Sequence, residues 1–289
     1  MAAFFIDRPV FAWVVALFIL LAGLLGTDPR VDMVSFTGST AVGRHLMRVG
    51  ADTMKRTFLE LGGKSAFIVL DDADLASAVS MAAFAVVTHA GQGCAITTRL
   101  VVPSEKLAEA TALARDSLAG FAAADPTDPG TICGPVISAT QRERVESYIE
   151  LAKTEGGTIE IGGTRPADKE KGFFVSPTLI SGLDNSSRTA QEEIFGPVLV
   201  ILGYDGDDDA IRIANDSPYG LSGAVWGTDR DRINRVVDGV RTGTMSINGG
   251  IWYSADVPFG GYKQSGIGRE MGVAGFEEYL ETKAIAEPT

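Results

Sequence analysis

Cysteine and histidine are scarce in this chain, two of each in 289 residues. Cys94 and Cys133 stand at no metal-like spacing, and His45 and His89 are too few for a histidine-rich site, so no metal centre is expected. Two isolated thiols fit a reducing compartment. A basic surplus is also missing. Asp and Glu number 37 against 25 Lys and Arg, for a net charge of −12. Such a chain repels phosphate backbones, which sets nucleic-acid binding aside. There is no internal repeat and no low-complexity tract. What remains is ordinary globular composition, 45% hydrophobic and 21% charged. The length suits one large or two medium domains.

The chain is organised around Thr57–Cys94. It opens with Leu59-Glu60-Leu61-Gly62-Gly63-Lys64 and closes with Gly91-Gln92-Gly93-Cys94. A carboxylate sits on a turn between apolar runs, and a lone cysteine follows a helical pattern in a Gly-rich loop. A thiol is the most nucleophilic side chain near neutral pH, and a base is needed later to hydrolyse its thioester. Upstream, Val31–Phe36 reads as a strand, Gly38-Ser39 as a turn, and the following residues to about Gly50 as a helix. A helix start after a Gly turn can face a phosphate; the plainer reading is Ser39 as an N-cap. Lys55–Leu59 is a second strand ending at Glu60. Ser65–Leu70 is a buried strand, followed by a helix with Leu75, Val79, Ala82 and Val86 on one face. Ser138 to Gln141 is a capping-box pattern opening a helix that buries Val145, Ile149 and Ala152. Strands and helices then alternate through Val198–Tyr204, Asp207–Asn215, Gly220–Trp226, Arg230–Val240 and Thr244–Asn248, an α/β pattern.

These segments, in this order, resemble the NAD(P)-dependent aldehyde dehydrogenases. The likeness runs from Val31 to Pro288 and is most specific at Glu192-Glu193-Ile194-Phe195-Gly196-Pro197-Val198 and at Pro258–Glu270. The resemblance implies that Cys94 attacks the aldehyde and that Glu60 activates water, with Glu270 near the water path. It implies a cofactor site, for NAD or NADP, at Gly38, Ser39, Gly62, Glu193 and Phe195. Phe259 would lie near the aldehyde. Trp252, after Gly249-Gly250, either lines a substrate tunnel or packs a loop. Tyr279–Pro288 resembles the family's subunit-pairing strand, so a homo-oligomer is expected. The implied layout is residues 31–63 as a remnant of the dinucleotide-binding domain, 64–269 as the catalytic domain and 270–289 as a C-terminal return. The family's earlier sheet strands and an oxyanion-binding Asn have no counterpart here. Only the last part of the doubly wound sheet is expected, and with it impaired activity. The alternative is a non-catalytic fragment that pairs with full-length relatives. Bland readings hold for Cys133 as a buried small hydrophobe, His45 as a helix-surface residue, and His89 as an accidental neighbour of Cys94.

The first 26 residues do not fit this likeness. Val10–Leu25 carries no charge. At about 1.5 Å per residue it spans ~24 Å, short of the ~30 Å hydrocarbon core. Membrane anchor, signal peptide and buried core helix are the competing readings. Met1–Trp13 resembles the first transmembrane helix of resistance-nodulation-division efflux pumps. Gly26–Arg30 then reads as a turn-forming junction, and the protein as cytoplasmic by family or anchored through residues 10–25.

Overall fold

The computed structural model describes residues 25–251 and 253–288. The apolar run therefore lies almost wholly outside the described residues. Among those described, no helix is long and apolar enough to cross a membrane. Residues 25–27 are helical, and Gly26 is buried beside Leu46 and Val49. The junction read as a linker thus begins as a packed helix end.

Two sheets meet at the middle of the chain. The smaller has the order β1 (Met33–Thr37), β2 (Arg56–Glu60), β12 (Gly266–Ile267). β1 and β2 are parallel, and β12 is antiparallel to β2. The sequence shows the first two strands. A two-residue strand containing glycine has no periodicity, so β12 is invisible there. α1 (Thr40–Ala51) follows β1, with Ser39 as N-cap accepting from the Val42 N–H at 3.4 Å.

The larger sheet has seven strands. Its order is β10 (Thr244–Ile247), β9 (Ser222–Trp226), β3 (Ser65–Val69), β4 (Thr97–Pro103), β7 (Val198–Tyr204), β6 (Thr178–Ser181), β5 (Thr158–Ile161). All neighbours are parallel except β5 with β6. Parallel strands are covered on both faces and so read as unbroken apolar runs. Phe67–Leu70, Leu100–Val102 and Val198–Leu202 are such runs, and all are buried. α2 (Leu75–Val87) and α3 (Leu107–Ala119) pack on each other. α2 buries Leu75, Val79, Ala82 and Val86, the stripe expected from sequence. α4 (Ala139–Thr154) buries Val145, Ile149 and Ala152. After the short α5 (Arg188–Gln191), α6 (Asp207–Asn215) lies against β3, β4 and β7, and α7 (Arg230–Gly239) against β9.

Two joints hold the sheets together. β2 runs directly into β3 through Leu61–Lys64, so one strap crosses from sheet to sheet. A ribbon makes the second joint: β11 (Tyr262–Lys263) pairs with β8 (Tyr219–Gly220), and β12 returns to β2. Arg99 braces the crossing from below. It is 1% exposed and donates to the carbonyls of Lys64, Ile213 and Ala214 and to Asn185 Oδ1. α8 (Gly272–Glu277) is helical, but residues 280–288 form no strand and are exposed. A strand that pairs with a second subunit takes its hydrogen bonds from that subunit's edge.

Candidate functional site

The strap Glu60–Lys64 is one wall. Glu60 ends β2 and is 1% exposed. Neither carboxyl oxygen has a hydrogen-bond partner among the described residues. Burial pushes its pKa up to about 8; the Glu270 charge pushes the same way and Arg269 opposes. Glu60 is therefore largely a neutral acid at pH 7 and a base just above it. Lys64, at the other end, is 2% exposed with an unpartnered Nζ, and burial lowers its pKa to about 7.

The Cys94 loop is the second wall. Past α2 the chain turns through His89 at φ 52°, Ala90 at φ 54° and Gly91 at φ 71°. Left-handed backbone costs L-residues roughly 1–2 kcal/mol each. Packing compensates: a β-carbon on Gly91 would stand 2.0 Å from the Gly196 oxygen, so this turn lies flat on the Gly196–Pro197 backbone. The turn delivers Cys94, half-buried, into the site. Burial raises the Cys94 thiol, Glu193 and Glu60 add to the rise, and the backbone N–H groups of Ala95 and Cys94 oppose it. A raised thiol is protonated near neutrality and needs a base to take its proton.

The third wall brings Glu193 and Phe195. The Glu193 Oε1 accepts from the Gly63 N–H at 2.9 Å. A β-carbon on Gly62 would stand 2.5 Å from the Glu193 Oε2, so the strap and this carboxylate touch. Phe195 has φ 62°. Its carbonyl accepts from Gln141 Nε2 at 2.8 Å, and Arg144 Nη2 donates to the Glu193 carbonyl at 2.6 Å. The capping box is thus only half formed. Ser138 accepts from the Gln141 N–H, but the Gln141 side chain is committed to the Phe195 loop.

The three walls enclose a cavity of about 750 Å³. Gly38, Ser39, Glu60, Gly62, Cys94, Glu193 and Phe195 all line it. Gln141, Arg144 and Tyr219 line it too and were missed from sequence. Gln141 and Arg144 stand three apart on one helix face, a spacing that could have flagged them. Phe259 and Glu270 do not line it. They pair through their backbones, with Phe259 N–H to Glu270 O at 2.7 Å, and Glu270 reaches the site through its charge on Glu60. Trp252 lies outside the described residues. His89 lines a separate hollow with Phe84, Thr88 and Ile132. Cys133 is fully buried, and His45 is exposed on α1. Among the described residues no group of His, Cys, Asp and Glu could hold a metal.

Comparison with known proteins gives the family of this fold. The profile of the Aldehyde dehydrogenase family matches residues 11–285 and so begins inside the N-terminal apolar run. A putative aldehyde dehydrogenase of Staphylococcus saprophyticus is 44% identical over 263 residues, 91% of this chain and 55% of that protein. Among solved structures, a Mycobacterium tuberculosis aldehyde dehydrogenase complexed with NAD+ aligns at TM-score 0.88 and 46% identity, over 91% of this chain and 54% of its own. A Staphylococcus aureus betaine aldehyde dehydrogenase in complex with NAD+ aligns at 0.87 and 42% identity, over 89% and 52%. The chain spans about half the length of the curated relatives it matches. The efflux-pump likeness of Met1–Trp13 finds no support in these comparisons. The chain belongs to the aldehyde dehydrogenase family.

Proposed function

We propose that this chain carries the thiol and carboxylate chemistry that oxidises an aldehyde to a carboxylic acid with NAD or NADP. The observation that carries the reading is one cavity with Cys94, Glu60, Glu193 and the α1 N-terminus on its walls. Cys94, on an open cavity wall, loses its proton to water, and Glu60 is kept for the later hydrolysis. The sulfur then adds to the aldehyde carbon, and the carbonyl oxygen takes a proton from water to become a thiohemiacetal hydroxyl. A nicotinamide cofactor, when bound, would supply the hydride acceptor, and with the hydroxyl proton lost to water the Cys94 adduct would become a thioester. Glu60 then takes a proton from water as its oxygen attacks the thioester carbon. The carboxylic acid leaves, and the Cys94 sulfur regains a proton.

The residues present fit the nicotinamide end of that cofactor. Gly62 leaves open the space a side chain would fill beside the Glu193 carboxylate. In this reading Glu193 meets the ribose hydroxyls, Phe195 the ring, and Gly38-Ser39 with the α1 N-terminus the phosphate. Beyond these, β1 is an edge strand among the described residues, and each of its residues is half-exposed or exposed. Weak cofactor residence, and so slow turnover by the chain as it stands, follows from that open edge.

The test is reduced-cofactor absorbance with a panel of aldehydes. It compares the full chain with residues 31–289 joined to the N-terminal half of a related aldehyde dehydrogenase. Turnover in the joined protein that vanishes in Cys94→Ala supports the chemistry, and its absence there overturns it. Fast Cys94-dependent turnover by the unaided chain overturns the impairment alone. A second reading, pairing with full-length relatives, has its own observation: Val273, Phe276, Tyr279, Leu280 and Ile285 are exposed apolar residues along one C-terminal segment. Co-purification with a complete relative that is lost when residues 272–289 are deleted supports it. Anchoring through residues 10–25 is tested by fractionation; a fully soluble chain overturns it.

A further inference from the structure

Ser265 is the only residue of the β11–β12 ribbon with a fully buried polar side chain. Its Oγ donates to the Gly62 carbonyl at 2.7 Å and accepts from the Gly220 N–H at 3.0 Å. Its own carbonyl accepts from the Leu61 N–H at 2.9 Å. The next residue, Gly266, is the ladder partner of Glu60. One serine therefore grips the strap on both sides of the Leu61–Gly62 peptide and ties it to β8.

This matters because the Glu60 carboxyl has no hydrogen-bond partner among the described residues. No hydrogen bond from the described residues holds its side-chain end; its place is set by its backbone and by close packing. A β-carbon on Gly260, at the start of the same ribbon, would stand 2.7 Å from the Glu60 Oε1. We propose that Ser265 is a positioning residue that sets where the Glu60 carboxyl stands relative to Cys94, by pinning the Leu61–Gly62 strap to Gly220. The proposal rests on the reading of Glu60 and Cys94 as a base and nucleophile pair.

The test is a mutant cycle on the full chain: wild type, Glu60→Gln, Ser265→Ala and the double variant. Alkylation of Cys94 by iodoacetamide at about pH 9, where Glu60 is ionised, is followed by peptide mass, with the melting temperature measured alongside. The other groups facing the pair, Glu270 and Arg269 at Glu60 and Glu193 at Cys94, are unchanged throughout. The Glu60 charge holds the thiol up, so Glu60→Gln speeds alkylation. The expected result is that this gain shrinks at least about threefold in the Ser265→Ala background. A merely structural serine lowers the melting temperature and leaves the gain unchanged, which overturns the proposal and spares the pair. No gain from Glu60→Gln alone overturns both. If Ser265→Ala does not fold, Ser265→Cys replaces it with a near-isostere and a weaker donor, its own thiol separated from Cys94 by the mapping. The same shrinkage supports the proposal, and an undiminished gain overturns it.

Discussion

A β-carbon placed on Gly63 would stand 2.3 Å from the carbonyl oxygen of Cys94. The strap that leaves Glu60 and the loop that carries the thiol are in backbone contact. Gly63 also donates its N–H to Glu193. One residue without a side chain thus joins the Glu60 strap to Cys94 and Glu193. Gly63→Ala must push the Cys94 loop away, because backbone cannot swing aside as a side chain can. We expect a loss of about 1–3 kcal/mol in stability from overpacking. Aldehyde turnover in the joined protein should fall far more than the melting temperature suggests. Urea unfolding and the alkylation rate of Cys94 check this. An unchanged alkylation rate would show that the contact does not place the thiol.

The two cysteines should part sharply in reactivity. Cys133 is fully buried, and burial pushes its thiol up to about 11. Cys94 is also raised, but it is half-exposed on a cavity wall and has the Ala95 and Cys94 N–H groups directed at its sulfur. Limited alkylation followed by peptide mapping should label Cys94 first, by at least about tenfold near pH 8. Equal labelling would falsify the placement of Cys94 in an open site.

Much of this was legible from residue order. Cys94, Glu60 and Glu193 stand in motifs whose chemistry is local, and the stripe of α2 and the runs of β3, β4 and β7 follow from burial on one or both faces. Gln141 shows what was not legible. Its spacing from Ser138 fits a capping box, yet its side chain answers to a loop more than fifty positions away, at Phe195. Ser265 and Arg99 are of the same kind. Each is one polar residue in an apolar or Gly-rich stretch, and its worth depends on carbonyls that only the folded chain brings near. Local pattern cannot show a long-range hydrogen bond. β12 failed to show for a related reason, since its two residues exist as a strand only because β2 lies beside them.

Arg99 should be the most costly side chain to remove outside the cavity. Its guanidinium makes four hydrogen bonds to Lys64, Asn185, Ile213 and Ala214, and burial lowers its pKa to about 10 without a carboxylate in direct contact. Arg99→Met keeps the stem and strands those acceptors in a dry interior. The expected loss is about 3–5 kcal/mol. Thermal unfolding measures it. A melting temperature within two degrees or so of wild type would mean that water replaces the guanidinium.

The pH dependence of thioester hydrolysis isolates Glu60. An activated acetate ester can acylate Cys94 without any cofactor, and intact mass then follows loss of the acetyl group. Glu60 acts on water only as the carboxylate. With its pKa near 8, the rate should climb about tenfold per pH unit below 8 and level off above it. Glu60→Gln should remove the climb and slow hydrolysis by roughly 10²–10⁴ at the plateau. Stability must move the opposite way. A carboxyl raised from 4.5 to about 8 binds its proton more tightly in the folded chain, so folding loses stability as pH rises through that window. The loss is on the order of a few kcal/mol by pH 8. Lys64 runs against it only above about 7, where its lowered pKa begins to favour the folded chain. Between pH 5 and 7 the Glu60 effect therefore stands clear of Lys64. Wild type should lose ground to Glu60→Gln across that span in urea unfolding, while its hydrolysis rate rises. A wild type that loses no ground would place the Glu60 carboxyl in contact with water and return its pKa to the ordinary range.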